Sequence, residues 1–212
     1  MDVERFEQEL RVAFDDLPRS ETPSDPFYAE LLDEVGGLAR PNNLALVAAA
    51  AASLEPGESY VEVGSLKGAS LIAAAHRAAG NLVGIDDFSM QEASRDRLEA
   101  NLARFGAEAT VLEGDAFELL RGGALDGRRV GAYYYDAAHG YEQQLEGLRL
   151  VEPYLAERAL LIVDDSDWDQ VDAAIRDYLA AQPRARELLR LGGKDRGQPW
   201  WWEGVSVLTW RA

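Results

Sequence analysis

The chain has 212 residues, 47% of them hydrophobic, and its 38 acidic side chains outnumber 21 basic ones for a formal net charge of −17. That length suits one domain with a substantial core, and the charge repels nucleic acid and anionic membrane, so neither is an expected partner, while a cationic ligand or divalent metal is not opposed. The absence of cysteine excludes disulfides and thiolate metal sites.

No run approaches the roughly 20 apolar residues of a bilayer-spanning helix. The acidic, amphipathic start MDVERFEQEL is unlike a signal or transit peptide, so a cytoplasmic location is the default expectation. Val3, Phe6, Leu10, Phe14 and Leu17 recur at helical spacing and predict a helix over residues 1–17. A polar, proline-broken linker, Pro18–Pro26, follows. A second helix is expected over Phe27–Val35, ended by Gly36-Gly37, and a third from Asn42 through the alanines to just before Pro56-Gly57. This helical extension, residues 1–57, can cap a pocket or mediate a homodimer.

From residue 58 to 212 short apolar runs alternate with helical patterns, the mark of a doubly wound, mostly parallel α/β sheet. Strands are expected near 59–63, 82–85, 109–112, 130–135 and 159–163, with helices near 69–79, 90–105, 115–121, 140–154 and 168–181. Two further strands, 186–191 and 204–210, have no helix between them, which predicts an antiparallel hairpin at the edge of a seven-stranded sheet. Tyr133, Tyr134 and Tyr135 read as buried strand residues on alternating faces.

The stretch SYVEVGSLKGASLI, residues 59–72, carries the chemistry. An apolar strand delivers Glu62 to its end. Gly64, Ser65 and Gly68 form a tight turn whose glycines admit close approach of a ligand, and the helix holding Ser70 presents free N–H groups. The spacing is G-x-x-x-G, not the G-x-G-x-x-G of a dinucleotide fingerprint.

Ligands of an open parallel sheet bind beyond the carboxyl ends of its strands. Those ends are marked here by Glu62, by Asp86-Asp87, by Gly114-Asp115-Ala116, by Asp136 and by Asp164-Asp165. Asp86, 18 residues beyond Gly68, is placed to accept hydrogen bonds from two ribose hydroxyls. Asp115 can sit against an adenine, with Gly114 allowing a close turn, or can simply cap a helix. Asp136, Asp164 and Asp165 offer oxygen ligands to a hard cation such as Mg²⁺.

These motifs resemble those of the class I S-adenosylmethionine-dependent methyltransferases, and most of all the small metal-assisted O-methyltransferases of the catechol and caffeoyl-CoA type and related antibiotic-pathway enzymes. The resemblance runs from about residue 58 to the end and implies a Rossmann-like fold. It implies that Glu62, Gly64, Ser65, Gly68 and Ser70 hold the methionine part of the cofactor, with Ser70 near its carboxylate. It further implies that Asp86 with Asp87 serves the ribose, that Gly114, Asp115 and Ala116 serve the adenine side, and that Asp136 borders the cofactor.

Asp136-Ala-Ala-His139-Gly-Tyr141 resembles the family's Asp-Ala-Asp-Lys-x-x-Tyr segment, and Val163-Asp164-Asp165-Ser-Asp-Trp168 its Val-Asp-Asn-x-x-Trp segment. The resemblance makes Asp136, Asp164 and Asp165 metal ligands. Two departures stand out: His139 replaces the lysine that serves as base, and Asp165 replaces an asparagine. A related branch carries Asp-x-x-His-x-Tyr-Glu, matching Asp136, His139, Tyr141 and Glu142.

The reaction so implied is methyl transfer to the hydroxyl of a small molecule, with metal and substrate aligned by the protein and His139 as base. Trp200, Trp201 and Trp202 are either a wall of an aromatic pocket or core. Lys194 and Arg196 are either contacts for an anionic substrate or solvated charges, and His76 is assigned no function. A metal-independent methyltransferase, a non-catalytic cofactor-binding protein of the same fold, and a nicotinamide-dependent oxidoreductase are the competing readings. The missing G-x-G-x-x-G makes the last the weakest.

Overall fold

A computed structural model describes residues 1–78, 81–90 and 93–212. Residues 79 and 91–92, which two of the expected helices include, lie outside the described residues. Among the described residues the chain forms helices α1 (Val3–Ala13), α2 (Phe27–Val35) and α3 (Pro41–Ala52) before strand β1 (Glu58–Val63). Then come α4 (Ala69–Arg77), β2 (Asn81–Asp86), α5 (Arg95–Arg104), β3 (Thr110–Glu113), α6 (Ala116–Arg121), β4 (Arg129–Tyr135), α7 (Tyr141–Val151), β5 (Leu155–Asp164), α8 (Asp169–Ala181), β6 (Ala185–Leu191) and β7 (Val205–Arg211). No helix among them is long and apolar enough to cross a membrane.

The strands form one seven-stranded sheet in the order β3-β2-β1-β4-β5-β7-β6. The first five are parallel, and β7 runs antiparallel to both β5 and β6. The expected hairpin is therefore present with one refinement: its second strand inserts beside β5, leaving β6 at the edge. The strand order reverses between β1 and β4, and this is where a parallel sheet opens a crevice at its carboxyl end.

Side-chain alternation along the strands divides the core in two. Tyr60, Ala132, Tyr134, Leu160 and Ile162 face a cluster that includes Phe6, Leu10, Leu31, Leu44 and Leu71, while Val61, Val63, Tyr133, Tyr135 and Val163 face Leu120, Leu148, Val171 and Ile175. Helices α1–α3 thus share a core with the sheet. The alanine run of α3 is buried throughout, its small side chains letting the helix settle against α4 and the sheet.

Local chemistry sets most boundaries. Asp2 caps α1, accepting from the Arg5 N–H at 3.0 Å. The helix stops at Ala13, short of the expected Leu17, because Phe14 turns extended and Pro18 follows. Pro41 opens α3 at its first turn, where the missing N–H costs nothing. Ser94 caps α5, which begins at Arg95 and not near residue 90. Pro153 converts the end of the expected 140–154 helix into a short 3₁₀ turn over Glu152–Tyr154. That turn leads directly into β5, which starts at Leu155, four residues earlier than its apolar run implies; a register shift against β4 absorbs the difference.

Gly64 fixes the geometry of the crevice. Its φ is 94°, and a methyl group there would fall 1.7 Å from the carbonyl oxygen of Asp136. Both the backbone conformation and the contact with β4 demand glycine. Gly64→Ala is expected to destabilise the fold by about 3 kcal/mol or more, read as a lower urea midpoint at unchanged m-value; a midpoint within error of the parent would contradict this account.

Candidate active site

A cavity of about 580 Å³ opens at the switch point between β1 and β4. Its wall is built from the loop after β1 (Gly64, Ser65, Leu66, Lys67) with Ser70 of α4, from Asp86 and Asp87 after β2, from Gly114, Asp115 and Ala116 after β3, and from Asp136 and His139 after β4. Asp165 and Trp168 after β5 and Trp202 and Glu203 of the tail loop complete that side. The α2–α3 connection contributes Gly36–Ala39. Three expected residues, Glu62, Gly68 and Asp164, stand behind the wall.

One end suits a nucleoside. Asp86 is held rigidly, one carboxylate oxygen accepting from the Leu66 N–H at 2.7 Å and the other from the Phe88 N–H at 2.6 Å. Each oxygen retains a lone pair for a vicinal diol. Asp87 is exposed and accepts from Ser89 N–H at 2.9 Å, a bond that together with the Ser89 hydroxyl holds its carboxyl below the usual range. Asp115 does cap a helix: it accepts from the Glu118 N–H at 2.9 Å at the start of α6, while still bordering the cavity beside Phe117. Gly68 adopts φ 89° as the residue before α4, a turning role and not a lining one.

Behind the glycine loop lies Glu62, fully enclosed. Tyr60 donates its hydroxyl to one carboxylate oxygen at 2.8 Å, and Ser70 donates to the other at 3.0 Å. Burial pushes the carboxyl up to about 7, against the pull of these donors. Ser70 alone of this trio reaches the cavity.

The other end is acidic and aromatic. His139 Nε2 lies 3.2 Å from Asp165 Oδ2, and the ring packs edge-on against Trp168 with centroids 5.2 Å apart. The remaining ring nitrogen, Nδ1, is buried without a hydrogen-bond partner among the described residues, as is Asp165 Oδ1. Burial lowers the His139 pKa, favouring neutral imidazole. Asp165 holds a left-handed backbone, φ 51°, at the turn that aims it at the histidine.

Asp136 accepts from Tyr134 Oη at 3.2 Å, and Asp164 from Asn43 Nδ2 at 3.1 Å. Burial raises the pKa of Asp136, Asp164 and Asp165 alike, and their mutual proximity adds to it for the first two. The expected ligand trio is not gathered as one: Asp136 and Asp165 face the cavity, whereas Asp164 is 1% exposed behind them with an oxygen committed to Asn43. Among the described residues no three acidic or imidazole side chains form a group that could hold a metal ion.

The tryptophans divide. Trp201 is core, fully buried and 5.2 Å from Phe14 between ring centroids; its indole N–H and that of Trp200 both reach the carbonyl of Pro18, at 3.0 and 2.9 Å. Trp202 lines the cavity, with the Arg40 guanidinium 5.3 Å over its ring. Lys194 and Arg196 pair with Glu203 and Asp167 within the same region, so their charges are spent locally. His76 stacks on Phe27 at 3.9 Å, away from the cavity.

Sequence reasoning missed Tyr60, Asn43, Leu38, Phe117 and Glu203. Only Tyr60 carried a local signal, since a residue two before Glu62 on a strand shares its face.

A family model described as a methyltransferase domain matches residues 61–166, half of the chain. Curated proteins give no match. Solved structures share the fold. An O-methyltransferase from Bacillus cereus in complex with SAH is 18% identical with a TM-score of 0.66, covering 100% of both chains. The O-methyltransferase TomG from Streptomyces achromogenes, involved in tomaymycin synthesis and solved with SAM, is 17% identical with a TM-score of 0.65, over 100% of this chain and 97% of its own. The SAH-bound methyltransferase PaMTH1 of Podospora anserina is 14% identical with a TM-score of 0.62, over 99% and 87%. At these identities the structural likeness speaks for the fold, and the family match, spanning the glycine loop through Asp165, speaks for the lineage: this chain belongs to the methyltransferase-domain family and is a methyltransferase.

Proposed function

We propose that the chain transfers a methyl group from S-adenosylmethionine to a hydroxyl of a small molecule, with His139 as the base. The observation that carries this reading is that one cavity joins Asp86 and Asp115 to a half-buried imidazole set beside the carboxylate of Asp165. The structures solved with SAM or SAH support the cofactor, and the O-methyltransferases among them support oxygen as acceptor.

The residues fit the cofactor. Asp86 would hold the ribose, Asp115 and Phe117 would flank the base, and the loop from Gly64 to Ser70 would hold the amino-acid end. When bound, S-adenosylmethionine supplies a methyl group on a positively charged sulfur. The chain's own contribution is alignment and proton removal. His139, kept neutral by burial and with Nε2 3.2 Å from Asp165 Oδ2, would accept the acceptor hydroxyl's proton. Asp165 then stabilises the imidazolium. Exposed Leu38, Met90 and Trp168 rim the cavity and favour an acceptor with an apolar body.

A divalent cation fits less well. Asp136 and Asp165 would be its protein ligands on the cavity side, and the third expected ligand is turned away, so no step is routed through it. The His139–Asp165 pair favours the metal-independent form of the reaction.

In calorimetric titration, the parent protein is expected to bind S-adenosylmethionine in the micromolar range and Asp86→Ala at least about tenfold more weakly, as loss of two charge-assisted bonds implies; no binding by the parent removes the proposal. His139→Ala is expected to lower kcat at least about a hundredfold with cofactor affinity unchanged, and a kcat within twofold of the parent would take the base role from it. After exhaustive EDTA treatment, turnover is expected to persist within about threefold; a larger loss restored by Mg²⁺ would show that the carboxylates regroup around a cation.

A further inference from the structure

Two segments far apart in sequence meet at the cavity wall, and they are held very differently. The tail loop is pinned from several sides. The Trp200 and Trp201 indoles donate to the Pro18 carbonyl, the Gly193 N–H donates to Asp167 Oδ2 at 2.6 Å, and the Lys194 N–H donates to the Trp202 carbonyl at 2.8 Å. The Asp167 and Ser166 N–H groups add bonds to the Glu203 and Gly204 carbonyls, at 2.9 and 3.1 Å. Trp202 sits within this knot at φ 55°, a conformation that a bulky residue keeps only where its surroundings over-determine it. Its ring is a fixed part of the wall.

The connection between α2 and α3 is the opposite case. Gly36 and Gly37 both hold positive φ, 73° and 152°, and among the described residues no N–H from Gly37 to Arg40 donates a hydrogen bond. Neither glycine is demanded by space: a methyl group at Gly36 would meet nothing closer than 3.8 Å, and one at Gly37 nothing closer than 3.7 Å. What they supply is conformational freedom, two adjacent soft positions at the end of α2. Pro41 ends the segment by opening α3. In between, Gly36–Ala39 line the cavity, with Leu38 54% exposed at its rim. A strap hinged at one end and without backbone ties along its length opens at little cost.

Arg40 joins the two. Its guanidinium lies 5.3 Å over the Trp202 ring, and the side chain is exposed with no ion-pair partner among the described residues, so the indole face is what holds it. Arg40 itself is not part of the wall. Resting on the S-adenosylmethionine reading above, we infer that Arg40 is a positioning residue: it latches the strap 36–40 shut on Trp202, and release of that latch admits and frees the cofactor. The strap is placed for this task. Methyl groups at Gly36 and Gly37 would point at Lys67 and Ala69 beside the glycine loop, while Arg40 reaches the tail loop, so the segment runs from the cofactor side to the acidic, aromatic end. Closed, it keeps water from the reacting groups.

Stopped-flow binding of S-adenosylhomocysteine, followed by tryptophan emission, tests the latch. A latch that is shut with and without ligand slows entry and exit by the same factor. Arg40→Ala is therefore expected to raise kon and koff together by about threefold or more, as an exposed cation–π contact implies, with Kd held within about twofold. Arg40→Lys keeps the cation and should bring both rates back towards the parent. A rise in koff alone, with Kd weakened to match, makes Arg40 an ordinary contributor to affinity and overturns the inference, as do unchanged or slower rates. Should Arg40→Ala fail to fold by circular dichroism, Gly37→Ala decides. Its φ of 152° disfavours alanine in the closed strap, so faster entry and exit support the inference and parental or slower rates refute it. Binding by the parent with rates indifferent to Arg40 refutes the latch and leaves the methyltransferase proposal standing. Failure of the parent to bind either S-adenosylmethionine or S-adenosylhomocysteine brings down both.

Discussion

The crevice depends on how closely β1 and β4 approach at the point where they part. The Asp136 N–H donates to the Val63 carbonyl, the last rung between these strands, and Gly64 then lies flush against the Asp136 carbonyl with no room for a side chain. From there the β1 chain turns one way into the loop before α4, and the β4 chain turns the other way towards His139. A parallel sheet whose order reverses between two adjacent strands has to open in this way, because the connections after those strands leave on opposite faces. The cavity is the space left by that divergence.

Three acidic side chains, Glu62, Asp136 and Asp164, sit side by side on one face at the carboxyl ends of three neighbouring strands, and burial raises the pKa of each. The fold tolerates them by supplying neutral donors. Tyr60 serves Glu62, Tyr134 serves Asp136, and Asn43 serves Asp164. In β1 and β4 the same device recurs, a tyrosine two residues before the acid, so that the strand's own alternation brings donor and acceptor to one face. Neutral donors orient the acids, while burial biases them towards the protonated form.

The N-terminal helices and the tail loop close the acidic, aromatic end of the cavity from outside the sheet. Trp200 and Trp201 both reach the Pro18 carbonyl, tying the linker after α1 to the loop before β7 across more than 180 residues of sequence. That anchor leaves Trp202, which follows directly at φ 55°, against the cavity and beneath Arg40. One residue of the three thus serves the pocket because its neighbours are fixed in the core.

The strand and helix order, the edge hairpin and the positions of Gly64, Asp86 and His139 were legible along the chain, since each rests on periodicity or on residues within one loop. Element boundaries slipped where tertiary pairing overrode the local pattern, as at the start of β5, where contact with β4 extends the strand beyond its apolar run. Distance in sequence hid the rest. Nothing near Asp164 announces Asn43, 121 residues away, and nothing in the run of acids tells which of them face the cavity. By itself the sequence determined the alternation of strands and helices and the acids at the strand ends, because backbone geometry and side-chain period are local properties. The tertiary structure alone decided that Asp165 meets His139, that Asp164 is turned inward, and that Ser70 spends its hydrogen on Glu62, because those outcomes depend on which side chains packing brings within reach of one another.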